Sequence, residues 1–282
     1  SGAFALLLGV LLDPGERVLT ADPGYPCYPN FARYVNATPV AVPVDAADGF
    51  VMRAQDVRAA GTPGDLVLVS SPANPTGTVA PRETYRGLVD SGFRVISDEI
   101  YHGLVYSDLG EFTALEIDDD ILVVNGFSKR YAMTGFRLGW MVVPPALIRP
   151  VNRLAQNLFI SAPAPSQWAG IAALEEGGAW VEETRGEYRR RRDLLVGILR
   201  GLGFVIQHVP DGAFYVFADV SAFGMDSFDF CQRMLEEAGV AATPGRDFGE
   251  HRTSAFVRFA YTNSADAIRE AGDRLMRWLP TI

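Results

Sequence analysis

Residues 121–129 read Ile121-Leu122-Val123-Val124-Asn125-Gly126-Phe127-Ser128-Lys129. An unbroken apolar run that closes on Gly and then a cation describes a strand covered on both faces, ending in a turn. Similar runs recur at 17–21, 39–44, 66–70, 94–97 and 138–143. Helical patterns fill the gaps at 3–12, 28–35 and 81–91, the last with Pro81 at its start. This alternation predicts an α/β fold with a doubly wound, mostly parallel sheet. In such sheets ligands sit beyond the carboxyl ends of the strands, so the polar residues there should converge.

Past residue 145 the pattern changes. Helices are expected at 146–158 and 166–199, the second broken near Gly177-Gly178. Strands at 204–207, 214–219 and 255–260, a helix at 228–238 and a closing helix to about 279 complete a smaller α+β unit. The expected division is a large domain over 1–165 and a connecting helix with a C-terminal small domain over 166–282. The Arg189–Arg192 run falls in a helix near Glu182, Glu183 and Glu187, as in a solvated face with ion pairs.

Composition narrows the function. The 282 residues carry a formal charge of −9, which argues against nucleic acid as a partner. The longest apolar run, 3–12, is too short for a bilayer and lacks the flanks of a signal peptide, so a cytoplasmic location is expected. Cys27 and Cys231 stand too far apart in sequence for a redox pair. His102, His208 and His251 are scattered without metal-ligand spacing, so no metal is expected.

Of the 25 Lys and Arg residues, 24 are Arg and one is Lys129. Arg cannot shed its proton near neutrality, whereas a desolvated Lys amine can, and only then can it attack a carbonyl. A lysine that survived by chance would explain the count equally well; its neighbours decide. The phosphate loop G-x-x-x-x-G-K-[ST] is absent around it, and G-x-S-x-G fails because Arg130 stands in the last place. Beyond the other strands lie Asn74 in Pro72-Ala73-Asn74-Pro75-Thr76-Gly77, where an X-Pro bond can be cis, Asp98 with Tyr101, and Arg137. An amide, a carboxylate with a phenol, an amine and a guanidinium form the set that a Schiff-base cofactor needs.

These residues resemble a fold-type-I pyridoxal-phosphate enzyme of the class I/II aminotransferase group. The resemblance rests on Pro23-Gly24-Tyr25-Pro26, Asn74-Pro75-Thr76-Gly77, Asp98-Glu99-Ile100-Tyr101, Ser128-Lys129 with Arg137, and Val257-Arg258-Phe259. It implies pyridoxal 5′-phosphate as cofactor and Lys129 as its Schiff-base lysine and proton shuttle. It implies further that Asp98 pairs with the pyridinium nitrogen, Asn74 and Tyr101 reach the ring hydroxyl, and Tyr25 stacks on the ring. Arg137 would bind the phosphate, with Ser1 and Gly2 at the end of a phosphate turn opening the first helix, and Ser128 adding a hydroxyl. Some relatives have serine where this chain has Gly126. Arg258, with Asn74, would hold the substrate α-carboxylate.

The activity so implied is ping-pong transfer of an amino group between an amino acid and a 2-oxo acid, in a homodimer with the active site near the subunit interface. A PLP-dependent lyase of the β-elimination type and an effector-binding domain of a regulator are the alternatives. The family carries further residues before the phosphate turn, so an N-terminal segment is expected to be missing here. The helix at 3–12 holds no cation, which weakens an acidic-substrate reading and leaves neutral or aromatic amino acids.

Overall fold

The structure, a computed structural model, describes residues 1–107 and 110–282. In chain order, α1 (Gly2–Leu11), β1 (Arg17–Asp22), α2 (Cys27–Tyr34), β2 (Thr38–Pro43), α3 (Ala54–Ala60), β3 (Leu66–Ser70), α4 (Arg82–Asp90), β4 (Arg94–Asp98), β5 (Leu122–Gly126) and β6 (Gly139–Val142) form an α/β unit. Helices α5 (Pro145–Leu158), α6 (Ala164–Glu176) and α7 (Gly178–Gly201) follow. They lead to β7 (Tyr215–Asp219), α8 (Ser227–Ala238), β8 (Thr243–Pro244), β9 (Phe256–Ala260) and α9 (Ala265–Trp278).

The larger sheet has the order β2-β1-β3-β4-β5-β6 and is parallel except for β6, which runs antiparallel to β5. Its central strands are Leu- and Val-rich because both faces are covered. Leu19, Val67 and Val95 face one layer, while Val18, Leu66, Leu68 and Ile96 pack with Leu7 and Leu8 of α1 on the other. Burying one such side chain fully contributes about 1.5–3 kcal/mol. From β1 the chain steps outward to β2 and then back across to β3, so the order reverses at the β1/β3 boundary, where a doubly wound sheet opens a crevice.

The smaller sheet, β7-β9-β8, is antiparallel. The two sheets share their cores: Phe217, Phe248 and Phe256 pack beside Leu19 and Val67, and Tyr101 and Leu104 pack beside Val216 and Phe259. The strand expected at 204–207 is reduced to one bridge, Val205 to Asp219. The helix expected over 166–199 is indeed broken at Gly177, into α6 and α7. Arg190 and Arg191 pair with Glu187, and Arg185 pairs with Glu182, on the exposed side of α7. Two short elements, α3 and β8, escape the sequence pattern because each offers too few residues to show a period.

Candidate active site

One cleft of about 840 Å³ opens beyond the carboxyl ends of the parallel strands. Ser1, Gly2, Tyr25, Asn74, Asp98, Tyr101, Ser128, Lys129, Arg137 and Arg258 all line it, so every residue singled out from the sequence is brought to one place. The strands explain this. Asp98 is the last residue of β4 and Gly126 the last of β5, with Lys129 three residues beyond; Asn74 lies four past β3, and Tyr25 three past β1. Helix α1 points its N-terminus into the same space, and the Ser1 side chain makes no capping bond, leaving first-turn amides for an anion.

Asp98 occupies a central strand, opposite Ser70 of β3 and Val124 of β5, and is buried. Its Oδ2 accepts a 2.5 Å hydrogen bond from the Tyr28 hydroxyl, and its Oδ1 accepts the Ile100 amide at 3.1 Å. Burial pushes the carboxyl upward in pKa, while the Tyr28 and Ile100 donors pull it back. The Lys129 amine moves the other way. Burial foremost, then the cations Arg137 and Arg258, lower its pKa, and Asp98 opposes them. The amine lies 5.7 Å from the Phe214 ring centroid and 5.9 Å from that of Tyr101. A nucleophilic amine near neutrality requires this kind of surrounding.

Arg258 projects from β9 of the C-terminal unit. It donates to Asn74 Oδ1 at 2.8 Å and to Thr243 Oγ1 at 3.1 Å, and it lies against the rings of Tyr215 at 4.2 Å and Phe248 at 4.7 Å. Its Nε is buried without a partner among the described residues, so the fork retains donors for an anion. Because Asn74 spends its oxygen on Arg258, its amide N–H groups stay available to a ligand oxygen. Arg137 sits at φ 54° in the turn before β6 and donates to the Thr134 carbonyl at 2.8 Å. The Ser71-Pro72 and Asn74-Pro75 peptide bonds are cis.

Sequence reasoning missed Tyr28 and Tyr215. Tyr215 lines the cleft and shares a hydrogen bond with Tyr101, hydroxyl to hydroxyl, at 3.0 Å. A tyrosine opening an apolar strand gives no sign of this. Tyr28, in the first turn of α2, follows Tyr25 by three residues, and this nearness of a second tyrosine could have flagged it; their rings meet edge to face at 5.1 Å. Among the described residues, no group of three or more His, Cys, Asp or Glu side chains could hold a metal ion. The histidines instead pair singly, His102 with Glu99, His208 with Asp211 and His251 with Asp45.

Chemically, three cations and a helix N-terminus suit a ligand with anionic groups, a buried carboxylate suits a protonated ring nitrogen, and Tyr25 offers an aromatic wall. The amine suits an aldehyde or ketone. Pyridoxal phosphate has this donor and acceptor pattern, and the unpartnered Arg258 Nε leaves room for a second, carboxylate-bearing molecule.

A family profile described as "Aminotransferase class I and II" matches residues 1–275. The chain is 42% identical to a valine–pyruvate aminotransferase of Mycobacterium tuberculosis, the match covering 100% of this chain and 74% of that protein. It is 37% identical to an aspartate/prephenate aminotransferase of Thermus thermophilus, covering 97% and 72%. Among solved structures, an aminotransferase from Mycobacterium tuberculosis superimposes with a TM-score of 0.94 at 41% identity, over 99% of this chain and 74% of that one.

Proposed function

Because the chain belongs to the class I and II aminotransferase family, and is an enzyme that transfers amino groups, we propose that its cleft holds pyridoxal 5′-phosphate and carries the reaction through Lys129. The observation that supports this most is the convergence of Lys129, Asp98, Asn74, Arg137 and Arg258 from separate strands on one cleft. When bound, the cofactor supplies an aldehyde that condenses with primary amines and a pyridine ring that draws electrons from the neighbouring carbon.

The chain's residues then have distinct tasks. Lys129, its pKa lowered by burial and by two nearby guanidiniums, spends more time neutral than a surface lysine and can take a proton from the substrate Cα. Asp98 presents a buried carboxylate to a ring N–H, and Tyr25 presents an aromatic face. Asn74 and Tyr101 offer donors to a ring oxygen. Arg137, the α1 amides of Ser1 and Gly2, and Ser128 suit a phosphate. The Arg258 fork, anchored on Asn74 and Thr243, grips the substrate α-carboxylate and thereby aims the Cα–H bond. The Tyr101 and Phe214 rings, 5.9 and 5.7 Å from the Lys129 amine, shield that side of it from water.

A neutral amino acid is the proposed donor and pyruvate or 2-oxoglutarate the acceptor. Trp140, Phe159 and Ile160 give the cleft apolar walls, and one relative is named for valine and pyruvate, although another is named for aspartate and prephenate. A homodimer is proposed because Phe159 and Ile160 line the cleft yet stay 50% and 84% exposed, which suits cover by a second copy. The two sheets support the division into a cofactor-binding part, 1–165, and a C-terminal part, 166–282. Two free thiols suit the cytoplasm, and among the described residues no helix is long and apolar enough to cross a membrane. The test is incubation with an amino acid and either 2-oxo acid. Glutamate or alanine formation is expected; ammonia released without an acceptor would point to a lyase instead.

A further inference from the structure

The cleft contains one strong contact to which the scheme above gives no task. The Tyr28 hydroxyl donates to Asp98 Oδ2 at 2.5 Å, with both side chains buried. Tyr28 is fixed on its other sides: its ring meets Phe4 at 5.3 Å and Tyr25 at 5.1 Å, both edge to face. Burial and the Asp98 charge hold the phenol far above its ordinary titration range, so it stays a donor.

We infer that Tyr28 is a positioning residue that keeps Asp98 an anion, so that a proton shared between Asp98 and a bound ring nitrogen rests on the nitrogen. The inference rests on the proposed pyridoxal phosphate site and adds to it. A buried carboxylate facing a buried pyridinium has two ways to place one proton: charged acid and charged base, or a neutral pair. Desolvation favours the neutral pair, because separated charges are costly away from water. Each hydrogen bond donated to the carboxylate makes it a weaker base and tips the proton back to the ring. Asp98 receives two such bonds, from the Ile100 amide and from Tyr28, and only the second comes from a side chain that substitution can remove. Tyr28 thus touches no reacting atom; it acts through Asp98. No bond other than the one to this proton changes.

The experiment loads wild-type protein and Tyr28→Phe with pyridoxal phosphate labelled with ¹⁵N in the ring and records the nitrogen resonance beside kcat. The wild type is expected to show a protonated nitrogen. In Tyr28→Phe the resonance should move downfield, toward neutral pyridine, and kcat should fall about tenfold, the loss expected for one hydrogen bond to a charged group. A tyrosine that only fills space would cost stability without moving the resonance, so an unchanged resonance in Tyr28→Phe overturns the inference and leaves the proposed cofactor standing. A wild-type protein that takes up no label overturns both, whereas one that holds the label with an unprotonated nitrogen overturns the inference alone. Should the phenylalanine variant fail to fold, para-aminophenylalanine at position 28 keeps the shape with a weaker donor; a smaller downfield shift is expected, and none refutes the inference.

Discussion

Arg258 offers the sharpest test of substrate recognition. Its fork already spends two donors on Asn74 and Thr243, at 2.8 and 3.1 Å, which fix the guanidinium plane, and its buried Nε has no partner among the described residues. A substrate carboxylate taking two of the remaining N–H groups gains two charge-assisted bonds, each about 1.5–3 kcal/mol. Competition from water removes part of that, leaving about 3 kcal/mol for Arg258→Ala, or a loss of about 150-fold in kcat/KM. Arg258→Lys keeps the charge but not the fork, so about half the energy and a tenfold loss are expected. The assay is a single-turnover half-reaction followed at the cofactor's visible band, with that band before substrate addition confirming that loading is intact. The same amine without its α-carboxylate is the internal control: wild type and Arg258→Ala should process it equally. An Ala variant within threefold of wild type on the amino acid, or one equally impaired on the carboxylate-free amine, would remove Arg258 from substrate recognition.

Other consequences are simpler to measure. Lys129→Ala should abolish the visible absorbance of covalently held cofactor; a yellow spectrum that survives dialysis would contradict the assignment. Lys129→Met should raise the melting temperature of the cofactor-free protein. Because the folded pKa is lowered from 10.5, the unfolded chain binds the Lys129 proton more tightly. The cost to stability is therefore fully present below the folded pKa and disappears as pH rises to 10.5, so the gain from Lys129→Met should shrink over that window. A gain that does not vary with pH would refute the desolvated amine. Gly249→Ala should cost about 1–3 kcal/mol in a denaturant melt, because Gly249 has φ 145° and an added Cβ would lie 1.9 Å from Asp22 Oδ1. The same variant should raise KM, since Gly249 follows Phe248, which lies against Arg258; unchanged stability would show that the loop accommodates the methyl group.

Much of this protein is written in short stretches of its chain. Apolar runs such as 121–124 and 66–69, short and closed by turn residues, read as strands covered on both faces, and the polar residues that close them then emerge along one edge of a parallel sheet. That is why Lys129, Asp98 and Asn74 were legible, and why the single lysine could be weighed at all. Local pattern also places the break at Gly177. It cannot place what depends on distant segments meeting. Arg258 reaches Asn74 across 184 positions, Tyr28 reaches Asp98 across 70, and Tyr101 finds Tyr215 across 114. The first and third pairs arise because the two sheets share buried side chains, and the second because α2 packs with α1 on one face of the large sheet; such packing leaves no periodic trace in sequence. The chain's own order therefore determined the chemistry on offer, whereas the partners that orient it, and so the charge each group carries, were decided only when burial and proximity were fixed by the folded whole.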